Sequence, residues 1–365
     1  MKNRFYIFLC LLFLSIVSFS QQAEEFEIIE LIKTTPLKDQ QSSGTCWSFA
    51  TTSFIETEAL RLGKGTITLS PIFYVAPTYM EKAENFIEKK GESYFDAGDL
   101  TFSVLAAYKK FGAIPEDIYN GIIKNDWQHD HVEMDNLISV MVESVGASGY
   151  GRIKPESWRK SIEAVLQAYI GKAPDTFIYK GKEYTPKSFA NTFVNINPNN
   201  YVEITSYNNY PFYEQCVLNI PANWNSNKYL NLPINDFEKV INHALKMGYS
   251  LAWDGDASEP FFNFETGFLE LPEEQENTSI TQSLRQITFE NKSTTDDHNM
   301  HIIGAAINKA GKKYYILKNS EGINDLNGYI YMSQNALLLK TISVLVHKDA
   351  IPETIKKKIY LAKNN

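Results

Sequence analysis

The chain has 365 residues, of which 44% are hydrophobic and 21% charged, so it is long and apolar enough to bury a substantial core. It carries 35 basic and 43 acidic residues, and a net charge of −8 argues against nucleic acid or an anionic lipid surface as a partner. Three cysteines are too few for a disulfide framework.

The first twenty residues have the layout of a secretory signal peptide. Lys2 and Arg4 precede an apolar run over residues 5–17, and small residues follow up to Ser20. The run is too short to span a bilayer comfortably, although a retained N-terminal anchor is the alternative. We therefore predict a signal peptide over residues 1–20, export to the periplasm or the extracellular space, and no stable membrane insertion after cleavage. Losing its two positive residues takes the net charge from −8 to −10.

A cysteine precedes the first strongly helical segment. Residues 47–60 have apolar side chains at helical spacing, and Gly63 provides a stop. Cys46 therefore lies at a helix N-terminus, where unpaired N–H groups and the positive end of the dipole favour a thiolate. Gln40 lies six residues upstream. A small buried thiol is the alternative interpretation of such a cysteine.

The middle of the chain shows structure without obvious chemistry. Helical spacing predicts helices over residues 99–112, 132–145 and 156–170, and the Asn-rich tract 195–200 is the best internal boundary. A β-rich region follows, in which Cys216 is interpreted as a buried, inert thiol.

A further helix is predicted from Asn235 as N-cap, with Glu238 as its capping-box partner and Gly248 as its stop. Beyond it lie three acidic residues, Asp254, Asp256 and Glu259. They are interpreted either as a site that captures a substrate ammonium group or as an Asp-Gly turn.

Two short strand patterns near the C-terminus carry a histidine and an asparagine. Residues 298–304 and 314–322 read as a hairpin-like pair, with His298 at the start of one strand and Asn319 at the end of the next. A nucleophilic cysteine needs a nearby base, and that base needs a third group to orient its ring. His301 would face the opposite side of its strand. No metal-ligating pattern is evident, and no cofactor is suggested.

Together these blocks resemble the papain-like cysteine peptidases. The matching residues, in chain order, are Gln40, the Ser-Gly-Thr-Cys46-Trp47 block, the Phe95-Asp-Ala97-Gly98 block, His298 to Gly304, and Lys318-Asn319-Ser320. Cys46 and His298 are 252 residues apart, whereas papain-like enzymes usually show about 130–150. The large insertion and the motif details resemble the bleomycin hydrolase and bacterial aminopeptidase C branch.

The resemblance implies an α+β, two-lobed papain-like fold, with a helical lobe, a β-barrel-like lobe and a large insertion. The peptidase domain would span residues 21–365, with the insertion at about 123–200. The catalytic roles implied are nucleophile for Cys46, base and acid for His298, orienter for Asn319 and oxyanion donor for Gln40.

Substrate binding is implied for Gly98, for Ala97 in place of a family glycine, and for Asp297. Glu321 replaces a tryptophan that shields the asparagine–histidine contact in relatives. Its carboxylate is expected either to weaken that contact or to turn out to solvent. The expected activity is thiol-dependent hydrolysis of peptide or protein substrates, with an aminopeptidase favoured. An endopeptidase and a non-catalytic peptide-binding protein of the same fold are the alternatives, and a homo-oligomer is left open.

Overall fold

The computed structural model describes residues 26–123, 128–147 and 155–364. The helices are α1 (Cys46–Arg61), α2 (Val75–Glu88), α3 (Thr101–Phe111), α4 (Val132–Ala147), α5 (Pro155–Ile170), α6 (Pro186–Phe189), α7 (Ile234–Lys246), α8 (Glu273–Glu276), α9 (Gln282–Glu290), α10 (Gln334–Lys340) and α11 (Glu353–Asn364). The strands are β1 (Phe26–Leu31), β2 (Phe177–Tyr179), β3 (Lys182–Tyr184), β4 (Tyr201–Thr205), β5 (Gln215–Val217), β6 (Lys228–Asn231), β7 (Leu251–Gly255), β8 (Phe268–Leu269), β9 (His298–Asn308), β10 (Lys313–Lys318), β11 (Tyr329–Ser333) and β12 (Thr341–His347).

Helix α1 is the central element of the helical lobe. Thirteen of its sixteen residues are buried, because α3 packs on one side and strands β7 and β9 pack on the other. A helix enclosed in this way needs partners for its polar residues. Buried Glu56 has them, since its carboxylate accepts hydrogen bonds from Lys38 Nζ and from the Leu69 N–H. Helix α1 is thereby packed between the helical lobe and the sheet.

The second lobe is built on one ten-stranded sheet. Its strand order is β5-β6-β4-β12-β7-β9-β10-β11-β8, with β1 added alongside β9. Within the described residues this path is open rather than a closed barrel. Its core is separate from that of the helical lobe and includes apolar side chains of α7 and α10. The predicted α+β class and two-lobed architecture are confirmed.

The predicted histidine–asparagine hairpin is confirmed by the register of β9 and β10. The two strands are antiparallel, with Lys318 opposite His301 and Leu317 opposite Ile302. His298 is the first residue of β9, and Asn319 directly follows β10. Both residues therefore lie at the same end of the hairpin, although 21 positions separate them in sequence.

The region from 123 to 200 joins the helical lobe where the structure describes it. Helices α4 and α5 confirm the periodicity of residues 132–145 and 156–170, and their apolar faces belong to the same core as α1. A β2–β3 hairpin and α6 complete this region.

The predicted N-cap of α7 is wrong. The helix begins at Ile234, so Asn235 lies inside it, and Pro233 is the cap residue with no side-chain capping bond. The first free N–H groups are satisfied differently, because Ile234 N–H donates to Gln282 Oε1 at 2.6 Å and Asp236 N–H donates to the Pro233 carbonyl. A tertiary partner has replaced the local capping box.

Across the described ranges, no helix combines the length and apolar character needed to cross a membrane. The predicted signal peptide, with Cys10 inside it, lies outside the described residues.

Candidate active site

Cys46 is the first residue of α1 and is partly exposed. Its loop is pinned by Trp47, whose indole Nε1 donates to the carbonyls of Gly44 and Ala97, both at 3.2 Å. A Cβ atom at Gly44 would lie 2.7 Å from the Ala97 Cβ, so position 44 has no room for a side chain. The loop that carries Cys46 therefore packs directly on the segment predicted to bind substrate.

His298 lies between the cysteine and the asparagine. Its Nε2 is 2.8 Å from Asn319 Oδ1, and the Cys46 side chain is its other hydrogen-bond partner. Burial of the ring disfavours its charged form, but the hydrogen bond and charge of Cys46, followed by Glu321 and Asn319, outweigh this. The pKa of His298 is consequently raised to about 9. A ring with this pKa favours the imidazolium form at neutral pH.

Glu321 approaches the same ring from the cysteine side. Its Oε1 lies 3.8 Å from His298 Nδ1, and 46% of its side chain is exposed. The Phe264 ring is perpendicular to the imidazole, with the ring centroids 6.3 Å apart. Of the two expectations for Glu321, the weakened asparagine–histidine contact is not seen, because that bond is present at 2.8 Å with Asn319 only 6% exposed.

Gln40 is attached to the asparagine strand through Ser320. The Gln40 N–H donates to the Ser320 carbonyl at 2.8 Å, and the Ser320 hydroxyl donates to Gln40 Oε1 at 2.7 Å. Gln40 Nε2 donates to the Ser43 carbonyl at 2.8 Å. Since an amide nitrogen carries two N–H groups, the other is left for the oxyanion role that the resemblance implies for Gln40.

The predicted substrate-binding segment around Gly98 is held by a buried lysine that the sequence did not single out. Lys82 is fully buried, and its Nζ donates to the carbonyls of Asp96 at 2.6 Å and Gly98 at 2.5 Å. Asp99 lies 3.5 Å from the same nitrogen. Burial lowers the pKa of Lys82, against the opposing charges of Asp99 and Asp96.

Asp297 directly precedes His298, but its side chain is engaged in a local turn. It accepts hydrogen bonds from the Ala257 N–H and the Thr295 hydroxyl, both at 2.8 Å. Its carboxylate therefore shapes the approach to β9. A role in substrate binding stays a prediction for Asp297, as it does for Gly98 and Ala97.

The structure also shows the surroundings of His301 and Cys216, the other histidine and cysteine that the sequence singled out. His301 lies beneath α1 with its Nδ1 3.0 Å from Ser53 Oγ, so its ring is engaged further along the helix than Cys46. Cys216 is buried, and burial raises the pKa of its thiol to about 11. A buried thiol of that kind is poorly reactive at neutral pH.

The three acidic residues that follow α7, namely Asp254, Asp256 and Glu259, differ in their partners. Lys340 forms ion pairs with Asp256 and Glu259, whereas Asp254 has no such partner among the described residues. No group of three or more metal-ligating side chains occurs in the described part of the chain.

Comparisons with known proteins agree with this geometry. A sequence profile of the Peptidase C1-like family matches residues 165–363, a range that holds His298 and Asn319. No curated protein matches the chain. The crystal structure of pepw from Lactobacillus rhamnosis HN001 is similar over 93% of this chain and 86% of its own length, with a TM-score of 0.74 at 18% identity.

A second structure, from work on the mite allergens Blo t 1 and Der p 1, covers 87% of this chain and 67% of its own, with a TM-score of 0.45 at 15% identity. The pepw likeness establishes the fold, and the profile spans more than half of the sequence. The chain therefore belongs to the Peptidase C1-like family of papain-like cysteine peptidases.

Proposed function

We propose that this protein hydrolyses peptide bonds with Cys46 as nucleophile, His298 as acid and base, Asn319 as orienter and Gln40 as oxyanion donor. The observation that carries the proposal is the buried imidazole held between Cys46 and Asn319, with its pKa raised to about 9. Such a ring stays protonated at neutral pH and keeps the neighbouring sulfur in its nucleophilic form.

The reaction follows from these positions. The Cys46 thiolate attacks the peptide carbonyl, and the oxyanion receives hydrogen bonds from Gln40 Nε2 and the Cys46 N–H. His298 gives its proton to the leaving amine, so that the C–N bond breaks and a thioester remains. The neutral ring then removes a proton from water, the hydroxide attacks the thioester, and the thiolate and imidazolium are restored.

For specificity we propose an aminopeptidase, which removes residues from the N-terminus of a peptide. The branch resemblance of the motifs supports this choice. An endopeptidase would differ by accepting a blocked N-terminus.

The test uses the purified protein in reducing buffer with matched peptides whose N-termini are free or acetylated. We expect hydrolysis of the free peptide to exceed that of its acetylated form and to vanish in Cys46→Ala. Equal hydrolysis of both peptides would establish an endopeptidase. Hydrolysis of neither, with wild type equal to Cys46→Ala, would contradict the proposal and favour a peptide-binding protein.

We also propose that the protein acts outside the cytoplasm. The N-terminal pattern of residues 1–20 supports export to the periplasm or the extracellular space, with peptides or proteins as substrates. The acidic net charge supports neither nucleic acid nor a membrane surface as a partner.

A further inference from the structure

Asp254 is a buried acid without a partner. Its side chain is 1% exposed, and neither carboxylate oxygen has a hydrogen-bond partner among the described residues. Burial raises the pKa of Asp254 well above its usual range, and the charges of Asp296, Glu203 and Cys46 act in the same direction. Buried carboxyl groups are ordinarily hydrogen-bonded, so this one needs an explanation.

The strand register places Asp254 on the face of the sheet that meets the helical lobe. It lies opposite Asn299 on β9 and opposite Ser343 on β12. Residues paired across antiparallel strands face the same side. Asn299 shares its face with His301, two residues further on, whose ring contacts Ser53 on α1. Asp254 therefore points toward the helix that begins at Cys46.

A second buried group on this face also lacks a partner. Asn299 is 3% exposed, directly follows His298, and its Oδ1 accepts no hydrogen bond from any described residue. Its partnerless oxygen and the two oxygens of Asp254 lie on adjacent strands, at the directly opposed positions of the register. Three acceptors thus gather on this face without a donor among the described residues, within electrostatic reach of Cys46.

Asp296 extends this acidic face toward the surface. It is half-buried, and burial raises its pKa to about 6. Its charge acts on Tyr94, whose hydroxyl lies 3.6 Å from the position that a Cβ would take at Gly98. The acidic face therefore adjoins the 96–99 segment, which is the side of the cleft predicted to hold the acyl part of the substrate.

We propose that Asp254, Asn299 and Asp296 form a subsite for a positively charged substrate group, an ammonium or a guanidinium, on the acyl side of the scissile bond. Such groups carry only hydrogen-bond donors, so they would satisfy the three unpaired acceptors. An apolar side chain would leave these acceptors unpaired, and they would repel an anion. This inference rests on the proposed peptidase function and identifies the substrate class that the site selects.

Two sources supply that cation, and the experiment separates them. One is the free N-terminus of the peptide, and the other is a lysine or arginine side chain in the acyl part. The kcat/KM is measured for three peptides: one with a free N-terminus, its acetylated form, and an acetylated form with lysine in place of norleucine two residues before the scissile bond. Asp254→Asn is the test variant, and Asp175→Asn, an acid 89% exposed on the surface, is the matched control.

In wild type and Asp175→Asn, we expect the kcat/KM of one of the two cationic peptides to exceed that of the neutral peptide by roughly ten- to hundredfold. This is the range for hydrogen bonds to a charged group. In Asp254→Asn this ratio should fall toward one. Thermal melting confirms folding, and Asp296→Asn, which should reduce the same ratio severalfold, serves as the second variant if Asp254→Asn does not fold.

An unchanged ratio in the folded Asp254→Asn variant, or no preference for either cation in wild type, would overturn the subsite while leaving the peptidase proposal intact. Loss of hydrolysis for every peptide, with wild type equal to Cys46→Ala, would instead overturn the peptidase proposal.

Discussion

Replacing Glu321 with glutamine should shift the alkaline limit of activity to lower pH. The Glu321 carboxylate lies 3.8 Å from His298 Nδ1 and favours the protonated ring. Activity requires that ring to be an imidazolium while the thiolate attacks, so it is lost as the pH rises through the pKa of His298, about 9. Glutamine keeps the shape of the side chain and removes its charge.

The size of the shift follows from Coulomb's law. At the 3.8 Å separation of Glu321 and His298, two unit charges interact by about 1 kcal/mol in water and by about 4 kcal/mol at an effective dielectric constant of about 20. Because 46% of the Glu321 side chain is exposed, solvent screening makes the lower figure appropriate. About 1 kcal/mol corresponds to a decrease of about 0.7 in the pKa of His298.

The assay is the pH dependence of kcat/KM with a fluorogenic peptide, from about pH 5 to about pH 10, since this ratio reports the groups of the free enzyme. The control is Glu183→Gln, which removes an equal charge from an exposed position on the β2–β3 hairpin. We expect the alkaline limb to move down by somewhat less than one unit in Glu321→Gln and to stay in place in Glu183→Gln. An unmoved or raised limb in Glu321→Gln would refute the electrostatic reasoning.

Three further substitutions test the proposed orienting residue, the proposed oxyanion donor and a buried glutamate. Asn319→Ala removes the 2.8 Å bond to the charged ring, so we expect kcat to fall roughly 10- to 100-fold in initial-rate measurements with little change in KM; an unchanged kcat would contradict the orienting role. Gln40→Ala removes the proposed oxyanion donor and should lower kcat by about a hundredfold or more; a drop of less than about threefold would count against that role. Glu203 has its pKa raised to about 7, chiefly by burial and despite hydrogen bonds from Thr101 and Ser343, so the fold favours its protonated form. Its contribution to stability is complete below the unfolded pKa of about 4.5 and is lost as the pH rises through about 7. Melting temperatures measured on either side of this window should therefore fall more with rising pH in wild type than in Glu203→Gln, and parallel curves would contradict the assignment.

The elements with strong local signals could be predicted from the sequence. Cys46 sits at the N-terminus of α1 because apolar spacing and Gly63 define that helix. The pairing of His298 with Asn319 follows from two short strand patterns joined by a turn. Both features depend on helix and strand patterns that are local to each element, where periodicity carries most of the information.

The remaining features depend on contacts between distant segments. Asp254 and Asn299 are neighbours only because β7 and β9 adopt one register, and a shift by one residue would turn both side chains to the other face. Lys82 reads as an ordinary helix-surface lysine until α2 is packed beneath the 96–99 segment. The start of α7 was mispredicted for the same reason, since Gln282 from a distant helix supplies its cap.

Alkylation of the described cysteines tests the central claim most directly. Ordinary thiols titrate near pH 8.5, so at about pH 6 iodoacetamide should react quickly only with a sulfur that a neighbouring imidazolium keeps ionised. Peptide mass spectrometry then locates the label. We expect rapid modification of Cys46 in wild type, much slower modification of Cys46 in His298→Ala, and little label on Cys216 in either. Equal rates at Cys46 in the two proteins, or preferential labelling of Cys216, would contradict the thiolate–imidazolium pair on which the peptidase proposal depends.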